Sequence, residues 1–350
     1  MNGKIAFHLG DFSSFNVNLT TGNFGEMLSD TFQLDLISTN PDGLSPKVHR
    51  HFDTYGGNYP DTKAGSARAL RAYLRGASPD VISQIGDVPV YGNIISLLKD
   101  DDSKFVCRYS GDLFYEYRLE RGLRKAKIFA LKNLVGRVPL RFADRAVTMG
   151  PREKEKIVRR GAEPTNVEIL PPPIDVSRFV DVNPVLVEGL SADDPVVLFV
   201  GRVSRLKGAA TLESTLPEIL ERRPDIQFVL VGDEQYSLDV PQEYSEQVFT
   251  VGRVNPSQVP SYYKMADLYV HPSLTEGVSR SVLEALACDT PVVVRDVGDL
   301  AYVTSNIFTT DDEFVNMVCD FERLPVENPD NFTIENLQYK YRRFFEEVIA

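Results

Sequence analysis

Short apolar runs, each followed by a longer amphipathic stretch, constrain this chain more than any other feature. Pro195-Val-Val-Leu-Phe-Val-Gly201 is apolar without alternation, and Asp225-Ile-Gln-Phe-Val-Leu-Val-Gly232 nearly so. A strand of that kind is covered on both faces, as in a parallel sheet. Parallel neighbours need a crossover, usually a helix, between them. The spacing predicts strands at 4–9, 34–38, 80–84, 104–108 and 145–149, and again at 195–201, 225–232, 247–252, 266–271 and 291–295. Helices are expected between them, among them 215–223 and 258–265, and a charged amphipathic helix over 334–349. Between the two series stands Leu170-Pro171-Pro172-Pro173-Ile174-Asp175, which cannot be helical because consecutive prolines force extended backbone and remove donors. The expectation is an α/β chain of two Rossmann-like, doubly wound domains facing each other across a cleft. Residues 1–178 form the first and 179–330 the second, with 331–350 a terminal helix that packs back towards the first.

Length and composition fit that division. The 350 residues, 43% hydrophobic and 25% charged, suffice for two ordinary cores. A net charge of −12 excludes a general nucleic-acid binder. No apolar run is long enough to span a bilayer, and the N-terminal stretch reads as a first strand rather than a signal peptide. Cys107, Cys288 and Cys319 have no metal-ligand spacing and cannot all pair, which points to reduced thiols and a cytoplasmic setting. The sequons at Asn18 and Asn331 carry little weight there.

Two segments carry chemistry. Gly201-Arg202-Val-Ser-Arg-Leu-Lys207-Gly208 follows a buried strand and precedes a helix. Its glycines let the backbone turn tightly, the helix start favours an anion, and Arg202 and Lys207 add fixed positive charge. A solvated turn with incidental basic residues fits that loop equally well. The second segment, Thr275-Glu276-Gly277-Val278-Ser279-Arg280-Ser-Val-Leu-Glu284, sits about seventy residues downstream. Backbone N–H groups at Gly277, Val278 and Ser279 are suited to phosphate or sugar hydroxyls. Glu284, among Leu283, Ala285 and Leu286, needs a partner. A ribose diol would serve, and so would Arg280 four residues earlier.

Taken together, in this order and spacing, the two segments resemble the donor site of family 4 retaining glycosyltransferases, which have a B-type fold of two Rossmann domains. Residues 142–179 and 251–273 agree with that family, so the resemblance is strong over roughly 140–300 and vague before. It implies a hexosyltransferase-type enzyme of glycan biosynthesis that takes a nucleotide-diphosphate sugar and retains anomeric configuration. It assigns Arg202, Lys207 and Glu276 to catalysis: the first two would hold the diphosphate, and Glu276 would bond donor-sugar hydroxyls. Gly201, Gly277, Val278 and Ser279 would line the donor, Glu284 would hold the ribose, and Val254 and Asn255 would meet the base. No metal and no cofactor are expected, because the Arg/Lys pair supplies the charge that the leaving phosphate needs.

The first domain departs from the family's pattern. Where a histidine is usual, this chain reads Asp80-Val-Ile-Ser83-Gln84-Ile-Gly86-Asp87, so Gln84, Asp87, Tyr109 or Asp112 would have to stand in. The small residue usual after Cys288 is Asp289, which accepts a left-handed turn. The glycine-rich stretch from Gly10 through Gly22 to Gly25 reads as a strand-to-helix loop, with Gly10, Gly22 and Asp112 as first-domain contacts. His8 faces either the cleft or the core, and His49 and His51 read as surface. Residues 118–145 carry nine basic and two acidic side chains, +7 against −19 for the remainder. They are expected to form a basic, partly amphipathic helix on an anionic membrane, at the inner face of the cell membrane. The acceptor would then be a glycan, lipid-linked or membrane-proximal. Alternatives are a catalytically silent nucleotide-sugar-binding subunit, a sugar-nucleotide epimerase and, with less support, a phosphorylase.

Overall fold

The computed structural model describes residues 3–11 and 14–350. Phe12 and Ser13, part of the expected N-terminal glycine loop, lie outside them. The chain divides into two compact units, Met1–Pro173 with Asn331–Ala350, and Ile174–Asp330.

The first unit runs β1 (Lys4–Gly10), α1 (Phe15–Leu28), β2 (Gln33–Ser38), α2 (Pro46–His51), β3 (Asp53–Tyr55), α3 (Lys63–Gly76), β4 (Val81–Gln84), α4 (Asn93–Leu98), β5 (Lys104–Tyr109), α5 (Gly122–Phe129), β6 (Arg145–Thr148), α6 (Pro151–Val158) and β7 (Val167–Ile169). The second runs β8 (Val196–Val200), α7 (Ala209–Arg222), β9 (Gln227–Val231), β10 (Val248–Gly252), α8 (Val259–Met265), β11 (Leu268–His271), α9 (Arg280–Leu286), β12 (Val292–Arg295), β13 (Ile307–Phe308) and α10 (Asp311–Cys319). A last helix, α11 (Ile334–Ile349), belongs to the first unit.

Both sheets are parallel throughout. The seven-stranded one has the order β3-β2-β1-β4-β5-β6-β7, the six-stranded one β10-β9-β8-β11-β12-β13. This is the doubly wound order, and it reverses once in each sheet, between β1 and β4 and between β8 and β11. The edge strands β3, β7 and β13 escape the apolar-run criterion because they are only two or three residues long. Helix α7 begins at Ala209, directly after Gly208, six positions ahead of the sequence expectation. Asp289 does take the left-handed conformation, at φ 60°.

The alternation along β1 shows how the first unit is layered. Ile5, Phe7 and Leu9 point into a cluster with Phe24, Met27 and Leu28 of α1, while Ala6 packs on the opposite face with Ala69, Leu70 and Tyr73 of α3. Helix α11 completes the first cluster with Ile334, Leu337, Tyr341, Phe344, Phe345 and Val348, spaced three and four apart on one face. It also serves the proline run, whose carbonyls must find donors elsewhere because its own residues lack N–H groups. Tyr341 Oη donates to Pro171 O at 2.8 Å, Asn23 Nδ2 donates to Pro173 O at 3.1 Å, and Arg108 Nη2 donates to Leu170 O at 3.4 Å.

The basic segment is not one helix. Helix α5 ends at Phe129, and a wide helical turn at Ala130–Leu134 and a tight one at Val135–Arg141 follow. Pro139, which cannot donate, interrupts the ladder there. The segment still presents apolar side chains: Leu123 is 92% exposed, Leu134 58% and Phe142 51%. Gly22 and Gly25 likewise sit inside α1 rather than in a loop, where a Cβ on Gly25 would lie 2.6 Å from His51 Cβ. Those glycines let α1 approach α2. Among the described residues, no helix is long and apolar enough to cross a membrane.

Because α11 supplies much of one core face, Phe345→Ala is expected to destabilise the chain by about 3–5 kcal/mol, the usual cost of truncating a buried phenylalanine. Urea unfolding measures it, and the exposed Tyr339→Ala on the same helix should change stability by less than about 1 kcal/mol.

Candidate functional site

Strands β8 and β11 flank the point where the second sheet's order reverses, so the loops leaving their carboxyl ends meet. They are joined by Leu274 N donating to Leu206 O at 2.9 Å. Gly208, at φ 86°, lies so close that a Cβ would stand 2.2 Å from Pro272 O. The turn after β12 holds the second loop from the other side: Asp299 N donates to Gly277 O at 3.2 Å, and a Cβ on Gly298 would meet Glu276 O at 1.9 Å. Glycine is required at both places by space as well as by dihedral.

This closeness brings the two sequence motifs into contact. Lys207 Nζ donates to Glu276 Oε1 at 2.5 Å. The same oxygen lies 2.9 Å from His271 Nε2, and His271 Nδ1 lies 2.9 Å from Tyr269 Oη. Glu276 is 12% exposed, and His271 is buried. Burial works against the carboxylate's charge, but the hydrogen bonds and charges of His271 and Lys207 outweigh it and bring its pKa down to about 2. Glu276 Oε2 makes no hydrogen bond among the described residues. Arg202 is exposed and makes no hydrogen bond or ion pair among them.

Glu284 has the opposite character. It sits in α9, where burial pushes its pKa up, against the pull of Arg280, Arg178 and the Tyr263 hydroxyl. The ion pair itself is with Arg178, whose Nη1 stands 3.9 Å from Oε1. Arg280, the partner that helical spacing suggests, contributes its charge, and burial lowers its own pKa. Val278 and Ser279 are buried at the start of α9, with Gly277 beside them.

Val254 and Asn255 follow β10, at the sheet's edge. Asn255 Oδ1 accepts from Ser257 N at 3.0 Å and from Ser257 Oγ at 2.9 Å, so its side chain closes its own turn. The carboxyl ends of β8, β9 and β10 are tied in a row, Gly201 N to Val231 O at 2.9 Å and Gly232 N to Gly252 O at 2.8 Å. Among the described residues no hydrogen bond or ion pair joins Val254 or Asn255 to the Lys207–Glu276 pair; the row of strand ends is what relates them.

The first unit has a cavity of about 350 Å³ at its own reversal point, lined by Asp11, Lys63, Ile85, Asp87, Tyr91 and Ser110. Of the four residues considered as replacements for a histidine, Asp87 alone lines it. Gln84 spends both ends of its amide on the Arg108 backbone, Tyr109 Oη donates to Gly136 O, and Asp112 pairs with Lys156 at 2.6 Å. Gly10 ends β1 at φ 79° against the Tyr91 ring, and Gly22 lies inside α1 beside Lys47. His8 is a core residue, bonded to Ser66, with its pKa lowered to about 4 by burial. His51 bonds Ser29, and among the described residues no three His, Cys, Asp or Glu side chains gather as a metal site would need.

Sequence reasoning did not single out His271, Tyr269, Arg178 or Gly298. A histidine closing a central buried strand was the visible sign for the first. Tyr269 precedes it by two residues on the same strand face, whereas Arg178 and Gly298 are recruited through space and leave no local pattern.

Residues 187–309 match the glycosyl transferases group 1 family. That stretch lies within the second unit. Among curated relatives, a D-inositol 3-phosphate glycosyltransferase of Segniliparus rotundus is 30% identical over 151 residues, 40% of this chain and 34% of the relative. An uncharacterized glycosyltransferase of Methanocaldococcus jannaschii is 33% identical over 155 residues, 43% of this chain and 38% of the relative. The match thus spans little more than a third of those relatives' length. Among solved structures, sucrose-phosphate synthase of Thermosynechococcus elongatus superposes with a TM-score of 0.75 over 99% of both chains at 20% identity. HepE of Anabaena in complex with UDP-glucose does so at 0.68, over 99% of this chain and 100% of that one, at 15% identity. These likenesses establish the two-Rossmann, B-type glycosyltransferase fold.

The two glutamates should respond to acid in opposite directions. The Glu276 carboxyl, brought from 4.5 to about 2 by folding, contributes stability that is full above pH 4.5 and is lost as pH falls towards 2. Glu276→Gln should remove a contribution on the order of 3 kcal/mol at neutral pH and flatten that part of the profile. For Glu284 the folded pKa is raised, so its ionisation opposes folding as pH climbs past the ordinary carboxylate range, and Glu284→Gln should stabilise the ligand-free chain at pH 7. Urea unfolding from pH 2 to 7 checks both.

Proposed function

We propose that this chain is a metal-independent, retaining glycosyltransferase that moves a sugar from a nucleotide-diphosphate sugar to an acceptor. The observation that carries the reading is the apposition of Lys207 and Glu276 at the reversal point of the second sheet. A cation for phosphate and a carboxylate for sugar hydroxyls then stand side by side where such folds bind ligands. Arg202, exposed and uncommitted, joins Lys207 on the diphosphate and stabilises the departing nucleotide. Glu276 accepts hydroxyl protons of the donor sugar through Oε2. The backbone at Gly277, Val278 and Ser279 lines the phosphates. Glu284, whose ionisation burial opposes, gains from accepting the ribose diol's protons, and Val254 and Asn255 border the base. Retention of configuration rests on the family resemblance. UDP-glucose in the Anabaena structure makes a uridine donor the first to try.

The cavity at the reversal point of the first unit, with Lys63 and Asp87 in its wall, is the acceptor side of this reading. The basic, partly apolar surface of residues 118–145 rests on anionic lipid, which suits a lipid-linked or membrane-proximal acceptor. The absence of a histidine from that wall favours one second reading, a silent nucleotide-sugar-binding subunit.

A thermal-shift screen with UDP-, GDP- and ADP-glucose tests the proposal. One of them should stabilise the chain, by about 2.7 kcal/mol at a hundred times its Kd. Lys207→Ala and Glu284→Ala should abolish or sharply reduce the shift. No shift with any of the three refutes the proposal, and a shift without turnover of any acceptor favours the silent subunit. Co-sedimentation with anionic vesicles should fall as salt rises, and no binding at physiological salt removes the membrane contact.

A further inference from the structure

Lys207 is committed in this structure. Its ammonium sits on Glu276 Oε1 at 2.5 Å, and to clamp a diphosphate it has to turn away from that oxygen. Glu276 is 12% exposed, and a carboxylate that loses its ammonium partner in such a place becomes costly. A lysine paired this tightly would stay where it is.

The second donor on Oε1 resolves the difficulty. His271 Nε2 stands 2.9 Å from the same oxygen, on a buried ring at the end of β11. The proton must be on Nε2. Glu276 is ionised and acts only as an acceptor, so an unprotonated Nε2 would face it lone pair to lone pair. The other ring nitrogen lies 2.9 Å from Tyr269 Oη, and that hydroxyl lies 3.4 Å from Val200 O, at the end of β8, so the phenol sits between the imidazole and a carbonyl. The chain Tyr269–His271–Glu276 is therefore buried at its root and independent of Lys207.

We propose that His271 is a positioning residue: oriented by Tyr269, it holds Glu276 Oε1 so that Lys207 can leave for the donor's diphosphate while Oε2 stays aimed at the sugar. The inference rests on the donor-site reading above. It adds a partner exchange, in which one oxygen trades two donors for one as the ligand arrives.

Isothermal titration calorimetry on the full chain separates the two ideas. The probes are UDP-glucose, UDP and UMP, or the corresponding set for whichever nucleotide stabilises the wild type. If the wild type binds none of the nucleotide sugars, the donor-site reading itself fails. If it binds, His271→Leu should weaken UDP-glucose and UDP by about tenfold or more, the usual worth of a hydrogen bond to a charged group. UMP, which lacks the second phosphate, should change by less than about twofold, whereas a merely distorted loop would weaken all three. His271→Gln places an amide donor near the Nε2 position and should recover binding to within about threefold of wild type. Tyr269→Phe, which leaves the fold's packing in place, should weaken UDP-glucose by about three- to tenfold and serves if His271→Leu does not fold. Wild-type affinity in His271→Leu or Tyr269→Phe, equal loss for UMP, or a His271→Gln no better than His271→Leu overturns the proposal.

Discussion

Each sheet of this protein reverses its strand order once, and the geometry of everything else follows from that reversal. On either side of it the crossover helices leave towards opposite faces, so the loops between the two central strands are not covered by a helix. In the second unit those loops are 201–208 and 272–279. Their approach is so close that glycine is compulsory at Gly208 and Gly298. A parallel sheet thus converts two distant chain segments into one polar cluster. The first unit repeats the construction and leaves a cavity at the same topological position.

Within the cluster, two glutamates of similar burial are driven apart by their neighbours. Glu276 meets an ammonium and an imidazole on one oxygen and is held ionised. Glu284 meets Arg178 only at 3.9 Å and remains frustrated, with burial the dominant influence. A buried carboxylate that is poorly paired in the free protein is a hallmark of a site that a ligand completes. The difference comes from placement alone, because the residue type is the same.

Much of this was legible from residues in order. The runs 195–201 and 225–232 announced buried parallel strands, and the proline run marked the break between units, since three residues without N–H groups can join neither helix nor sheet interior. The pairing of Gly201-Arg202…Lys207-Gly208 with Glu276…Glu284 was readable because its spacing is sequential. The edge strands β3, β7 and β13 were not, because two or three residues carry no periodicity. Gly22 and Gly25 read as loop residues, yet they serve helix-to-helix contact inside α1. The basic segment read as one helix, but Pro139 and the turns before it divide it.

Residue order alone carried the class of fold and the two charged motifs that hold Lys207, Glu276 and Glu284, because apolar runs, prolines and charged motifs act locally. Which groups pair with them depends on how the strands and loops are brought together. Lys207 reaches Glu276 because β8 and β11 end side by side, and Arg178 reaches Glu284 from a segment remote in the chain, whereas His271 lies only five residues from Glu276. Electrostatic pairing depends on distance in space and on what water is excluded, and neither is written in residue order.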